Sequence, residues 1–228
     1  MKFFIIFNLT WLLSMPLTVL GAPRSYRTPL ITPADSSIKF FIPYTFGTHE
    51  GEARMFSGKI ALDLIDPAQS NGEFSVPISA MTTAKPQRDC HLREALGLDY
   101  GDSDFPEVHV CNDDDELPTA GKNAVKYPMI KLKVKSIKSL GPTKSISLDK
   151  ESNIEVEGEW IIHGKSYQWV FPLRLSLEGE KIRVRGEVPF SLKNHDVIVK
   201  ATRVLFIEIG VKDNAKVQFD LLLEPNGV

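Results

Sequence analysis

The alternation of residues 158–192 constrains this chain more than any other feature. The stretch reads GEWIIHGKSYQWVFPLRLSLEGEKIRVRGEVPFSL. Trp169, Phe171, Leu173, Leu175 and Leu177 alternate with Val170, Pro172, Arg174 and Ser176. Ile182, Val184, Val188, Phe190 and Leu192 then alternate with Arg183, Arg185, Glu187, Pro189 and Ser191. A period of two sends successive side chains to opposite faces, so each run is a strand with one apolar face. His163-Gly164-Lys165-Ser166 and Glu178-Gly179 separate the runs, and glycine between alternating runs marks a hairpin. The stretch is therefore an antiparallel meander with a continuous apolar face. The functional question is what that face covers: packed side chains only, or a ligand.

The same pattern recurs along the chain. Ile38, Phe40 and Ile42 give a first strand, and Ile60, Leu62 and Leu64 face Phe74, Val76 and Ile78 in a hairpin. Ile130, Leu132 and Val134 alternate with Lys131, Lys133 and Lys135, a strand whose basic outer face keeps it soluble. Residues 154–162 form the next strand. Leu205, Ile207 and Ile209 predict one more, and Val217, Phe219, Leu221 and Leu223 the last. One segment breaks the period. Residues 88–96 are good helix formers with Leu92 and Leu96 at i, i+4, and Gly97 ends the helix. Residues 105–111 read as a short strand, and 112–116 as a solvated acidic loop, since adjacent Asp113, Asp114 and Asp115 do not have calcium-loop spacing. Strands with a single apolar face suit an antiparallel sheet. Closing it removes the edges, and about eight strands leave room for side chains or one small ligand. The expected fold is all-β: a closed antiparallel barrel with one short helical excursion.

The N-terminus is a different kind of segment. Lys2 precedes an apolar run from Phe3 to Leu20, and Val19-Leu20-Gly21 offers a cleavage site before Ala22. This reads as a secretory signal peptide over residues 1–21, followed by an extended lead-in over 22–33. Pro16 and the shortness of the run weigh against a membrane anchor, and no stable span is expected after its removal. The mature chain is read as periplasmic or secreted. At 228 residues and a formal charge of −2, nothing points to nucleic acid as a partner. Two cysteines in an exported chain permit a disulfide between Cys90 and Cys111, closing a loop worth about 3 kcal/mol. Free thiols, or a Cys/His metal site using His91 and His109, stay open as alternatives. Their spacing matches no common zinc pattern, so no metal or cofactor is expected.

Several segments in order carry a family resemblance. They are Asp35-Ser36-Ser37-Ile38-Lys39-Phe40, Phe56-Ser57-Gly58, Thr82 or Thr83 followed by Arg88-Asp89-x-His91-Leu92-Arg93, Tyr127-Pro128-x-Ile130, Gly158-x-Trp160-Ile161-Ile162-His163-Gly164, and Gly210-Val211-Lys212-Asp213. Over residues 34–224 the chain resembles the YceI-like family of exported, lipocalin-like lipid-binding proteins. That resemblance implies a closed barrel whose apolar lumen holds a polyisoprenoid or similar long-chain amphiphile, without catalysis. Residues 112–126 and the two cysteines depart from the family pattern.

Candidate lumen residues are Phe40, Ile42, Trp169, Phe171, Leu173, Val188, Phe190 and Phe219. The motif residues Arg88, Asp89 and His91 are read as pinning the helix, with a place near a ligand's polar head as the sharper alternative. An enzyme is not expected: Cys90 and His91 point about 100° apart on a helix, and no nucleophile–base order or paired carboxylate occurs. The competing reading is an exported interaction protein on a barrel whose lumen is filled.

Overall fold

The computed structural model of the protein describes residues 24–28, 35–111, 116–199, 202–204 and 207–225. The segment read as a signal peptide, the lead-in apart from 24–28, residues 112–115 and Leu205 lie outside them. The strands are β1 (Arg24–Thr28), β2 (Ser37–Tyr44), β3 (Gly47–Ala53), β4 (Ser57–Leu62), β5 (Asn71–Pro77), β6 (Met81–Thr82), β7 (Met129–Ser139), β8 (Ser152–Ile162), β9 (Lys165–Glu178), β10 (Lys181–Ser191), β11 (Thr202–Val204), β12 (Ile207–Ile209) and β13 (Asn214–Pro225). One helix, α1 (Pro86–Gly97), follows β6.

Eight strands close into an antiparallel barrel in the order β1-β4-β5-β7-β8-β9-β10-β13, with β13 returning to β1. The closing strand comes from the expected lead-in. Residues 24–28 pair along their whole length with β4, and Tyr26 is buried in the core. β13 is shared between two partners: its end meets β1 at Glu224 and Pro225, and its earlier half pairs with β2 from Lys216 to Asp220. At that half the wall continues outward as β2-β3-β6. The barrel is thus sealed by β1 at one end and extended by the β2–β3 hairpin at the other, where α1 lies.

The meander that dominates the sequence forms β8, β9 and β10 in uninterrupted register, from Ser152↔Leu175 to Ile162↔Lys165 and from Lys181↔Glu178 to Arg185↔Arg174. The β8–β9 turn is two residues long, and both His163 (φ 51°) and Gly164 (φ 70°) are left-handed. That is the type I′ geometry whose twist matches the flanking strands. Glycine is doubly required at 164, because a Cβ there would stand 2.6 Å from the Tyr127 ring. Its partner His163 tolerates the αL conformation and is held by a hydrogen bond between Nε2 and the Leu98 carbonyl oxygen at 2.8 Å.

Three local expectations change in the structure. In β7, the alternation of Ile130, Leu132 and Val134 is broken by a bulge between Val134 and Ser136, so the next inward residue is Ile137. The lysines on its outer face are not a free basic ladder. Lys131 pairs with Glu73 at 3.6 Å and Lys135 with Glu159 at 3.6 Å. Residues 105–111 form turns and loop, not a strand. Their late backbone N–H groups, at Val110 and Cys111, donate to the Glu94 carboxylate and are not available to a ladder. Gly97 ends α1 as expected, as its final helical residue, though without a left-handed turn: Leu98 is extended (φ −84°, ψ 151°). Glycine is there for approach: a Cβ would meet Ile78 Cδ1 at 2.5 Å, and the Gly97 carbonyl accepts from the N–H groups of Lys126 and Tyr127. Where one strand was expected over 205–209, β11 and β12 form a short separate hairpin.

Candidate ligand-binding site

The inward faces of the barrel do not fill it. Three apolar cavities lie in succession. The first, about 80 Å³, is walled by barrel residues including Val156, Phe171, Leu173 and Phe219. The second, about 60 Å³, lies beneath α1, between Leu92 and Leu96 on the helix and Phe40, Ile42, Phe190 and Val217 on the strands. The third, about 210 Å³, lies at the open end and carries the polar side chains His49, Thr83, Arg88 and His91 beside Ile42, Val197, Val199 and Val211. Neighbouring cavities share walls: Ile130 and Trp160 belong to the first and second, and Ile42, Leu92, Leu96 and Leu192 to the second and third. The sequence of chambers runs from a barrel in which Ser75 is the one polar lining residue among those described to a rim with a cation and two imidazoles.

The predicted lumen residues divide accordingly. Phe171, Leu173 and Phe219 line the first cavity, Phe40 and Phe190 the second, and Ile42 the second and third. Val188 is fully buried in the core and lines none of the three, and Trp169 is packed against the core outside them. Residues that matter more went unmarked. Trp160 stands at the waist between two cavities, with its ring 6.0 Å from that of Phe219. Ile130 stands beside it on the neighbouring strand β7, two residues before Leu132, the register partner of Trp160, and lines the same two cavities. Their inward alternation was legible; their position between cavities depends on where α1 sits.

The helix that roofs the second cavity is fixed by two buried carboxylates, Asp89 in its first turn and Glu94 further along. Asp89 accepts from Thr82 Oγ1, from Thr83 Oγ1 and from the Thr83 backbone N–H, each at 2.6 Å. Burial pushes its pKa up, but these three donors and the Arg93 charge outweigh it and hold Asp89 below the usual carboxylate range. Asp89 is therefore the pin that anchors the start of α1 to β6.

Glu94, one turn on, is fully buried. Its Oε1 accepts from the backbone N–H groups of Val110 (2.5 Å) and Cys111 (3.1 Å), and its Oε2 lies 2.9 Å from Nδ1 of both His91 and His109. Burial again pushes the pKa up, and the hydrogen bonds from His109, His91, Val110 and Cys111 bring it below the ordinary value. The Cys90–Cys111 disulfide spans the same two segments, with Cα atoms 6.1 Å apart. It excludes the cysteines as metal ligands in this state.

Arg88 behaves differently from its motif neighbours. It lines the third cavity, and among the described residues no hydrogen bond or ion pair engages its guanidinium. Its charge acts on His49, whose pKa is lowered by burial and then by Arg88. Of the three motif residues, Asp89 and His91 are held on structural partners, and Arg88 presents its positive charge to the third cavity with no partner among the described residues.

Comparisons with known proteins agree on the fold. The protein-family model of the YceI-like domain matches residues 30–223. Among solved structures, BcnA from Burkholderia cenocepacia superposes with a TM-score of 0.57 at 15% identity, over 85% of this chain and 98% of that one. A polyisoprenoid binding domain from Saccharophagus degradans, implicated in plant cell wall breakdown, has a TM-score of 0.57 at 12% identity, over 90% of this chain and 99% of the other. A mutant YCEI protein from Campylobacter jejuni with a monobromobimane guest gives 0.51 at 13% identity, over 81% and 88%. No curated protein sequence matches the chain. With the family model covering most of its length and an eight-stranded barrel to match, this chain belongs to the YceI-like family.

Proposed function

We propose that the protein is an exported, non-catalytic carrier that holds one long-chain amphiphile, polyisoprenoid-like in its tail. The observation that carries this reading is the succession of three apolar cavities with shared walls, ending at a polar rim that contains Arg88, whose guanidinium has no ion pair among the described residues. A hydrocarbon tail gains about 0.8 kcal/mol for each methylene it buries, so even a partly inserted tail outweighs the cost of association. The polar head then lies at the third cavity, where the Arg88 guanidinium favours an anionic or strongly hydrogen-bonding group. Support also comes from the neighbour described as a polyisoprenoid binding domain, which shares the fold. The competing reading, an interaction scaffold with a filled barrel, has the three cavities against it.

The test is native mass spectrometry of protein purified from its own export route, followed by organic extraction. A stoichiometric long-chain amphiphile is the expected result. A clean apo mass, together with no tight binding of prenyl lipids added afterwards, overturns the reading and moves the weight to the scaffold.

A further inference from the structure

Glu94 is buried at the meeting point of two imidazoles, and the arrangement is more than a structural latch. The two oxygens of its carboxylate are used differently. Oε1 is fixed by the backbone N–H groups of Val110 and Cys111, which set the plane of the group. Oε2 faces Nδ1 of His91 and Nδ1 of His109, each at 2.9 Å. One atom from each of the three residues lies within 4.8 Å of the others. The imidazole side chains are 37% and 42% exposed, and the carboxylate is wholly buried, so the cluster opens to solvent on the histidine side only.

We propose that His91, Glu94 and His109 form a binding site for one borderline divalent cation of the zinc class. Two imidazole nitrogens and a carboxylate oxygen are a three-ligand set that zinc accepts with a fourth position left for water. Calcium and magnesium, which require oxygen ligands, do not suit it. Zinc bonds of about 2.1 Å at tetrahedral angles put ligand atoms roughly 3.4 Å apart, so the 2.9 Å N···O separations open by about half an ångström to admit the ion. Each neutral imidazole takes the tautomer with its proton on Nε2, which frees Nδ1 to ligate.

Two features prepare the site. The backbone donors on Oε1 supply the outer-shell orientation that metal carboxylates need. The Cys90–Cys111 disulfide ties the loop that carries His109 to the helix that carries His91 and Glu94, so the ligands are assembled before an ion arrives. The proposal does not depend on the lipid reading: His91 also lines the third cavity, but the ligand set is completed by Glu94 and His109, which line none of the three cavities.

The experiment uses the mature protein with its disulfide intact, stripped by chelator and titrated with Zn²⁺ against a chromophoric competitor, and with Co²⁺ by visible absorption. One Zn²⁺ per chain is expected, unaffected by excess Mg²⁺ or Ca²⁺. His91→Ala or His109→Ala should weaken binding by at least about tenfold, since loss of an outer-shell partner alone costs that much. His49→Ala, at the same mouth but outside the cluster, should not. As a readout that needs no variant, Zn²⁺ added to the wild-type protein should shift the imidazole resonances of His91 and His109 and leave those of His195 in place. Failure of the wild type to bind stoichiometric Zn²⁺ overturns the proposal. So does zinc binding that persists in the His91/His109 double variant, or that leaves the two ring resonances unmoved.

Discussion

Substituting Ile130→Trp tests whether the deep barrel cavity is occupied by a ligand's tail. Ile130 and Trp160 form the waist between the first and second cavities. A second indole at position 130 should close that waist and confine any tail to the outer two chambers. The length withdrawn can be worked from β8. Its inward residues from Ile154 to Trp160 line the first cavity, a rise of about 20 Å along the strand. A strand tilt of about 40° makes this roughly 15 Å along the barrel axis. An extended chain advances about 1.2 Å per bond, so the closed chamber corresponds to about 12 tail carbons. At about 0.8 kcal/mol per methylene, each carbon is worth up to about fourfold in affinity. The assay is a series of alcohols or phosphates of increasing prenyl and alkyl length, with dissociation constants measured for both proteins. In the wild type, affinity should climb with length until the barrel is filled. In the variant the climb should stop about 12 carbons earlier, with short tails bound equally by both. Overpacking costs about 1–3 kcal/mol, so thermal melts must confirm that the variant is folded. Identical length profiles in two folded proteins would refute the reasoning, because the first cavity would then play no part in binding.

Other consequences follow from the same geometry. Arg88→Gln should weaken amphiphiles with anionic heads by roughly 10- to 100-fold, the value of one charge-assisted contact, and leave uncharged alcohols of the same length unaffected; equal losses for both would remove Arg88 from the head site. Asp89→Asn keeps the shape of the buried pin but removes the charge that three donors converge on, and should cost about 2 kcal/mol. For a chain of this size that is a fall in melting temperature of roughly 4–8 °C, and a change below 1 °C in differential scanning calorimetry would contradict the assigned role. His195 is fully buried beside the Lys165 carbonyl oxygen (3.2 Å), and burial lowers its pKa. The unfolded chain therefore binds the proton first. Stability from this group is complete above pH 6.5 and declines as pH falls below that value, by at most about 1.4 kcal/mol per pH unit, until the folded pKa is reached. His195→Gln should flatten the pH dependence of the melting temperature between 6.5 and 5; a variant profile parallel to the wild type would argue against it.

The barrel was legible because a strand with one buried face must alternate, and no other element tolerates a period of two. Phe171, Leu173, Val184 and Phe219 could be assigned to the inner face from that rule alone, since a slip of one residue would turn each of them outward. The rule has limits that particular residues expose. It does not foresee the bulge after Val134, where an extra residue brings Ile137 inward. Nor does it separate Val188, buried and touching no cavity, from Phe190 two residues on, which lines one. Inwardness is a property of the strand, whereas the presence of space beside a side chain depends on what stands opposite.

The site at the mouth was harder to read for a related reason. Arg88, Asp89 and His91 could be recognised together as a motif, and the Cys90–Cys111 pair could be proposed from export and an even count. Their separate tasks could not be assigned, because helical neighbours leave in directions about 100° apart and each meets a different part of the fold. Asp89 meets Thr82 of β6 and the following Thr83, His91 meets Glu94, and Arg88 meets the cavity. Glu94 itself resembled any helical glutamate in the sequence. What makes it central is a loop 15 residues later that folds back to place His109 and two backbone N–H groups on its carboxylate. Local periodicity thus determined the central strands β7 to β10 and β13, their inner faces and the helix, but not the closing strand β1. The depth of the lumen, the placement of Arg88 at its rim and the His–Glu–His cluster were decided by tertiary contacts between distant segments, which no local pattern encodes.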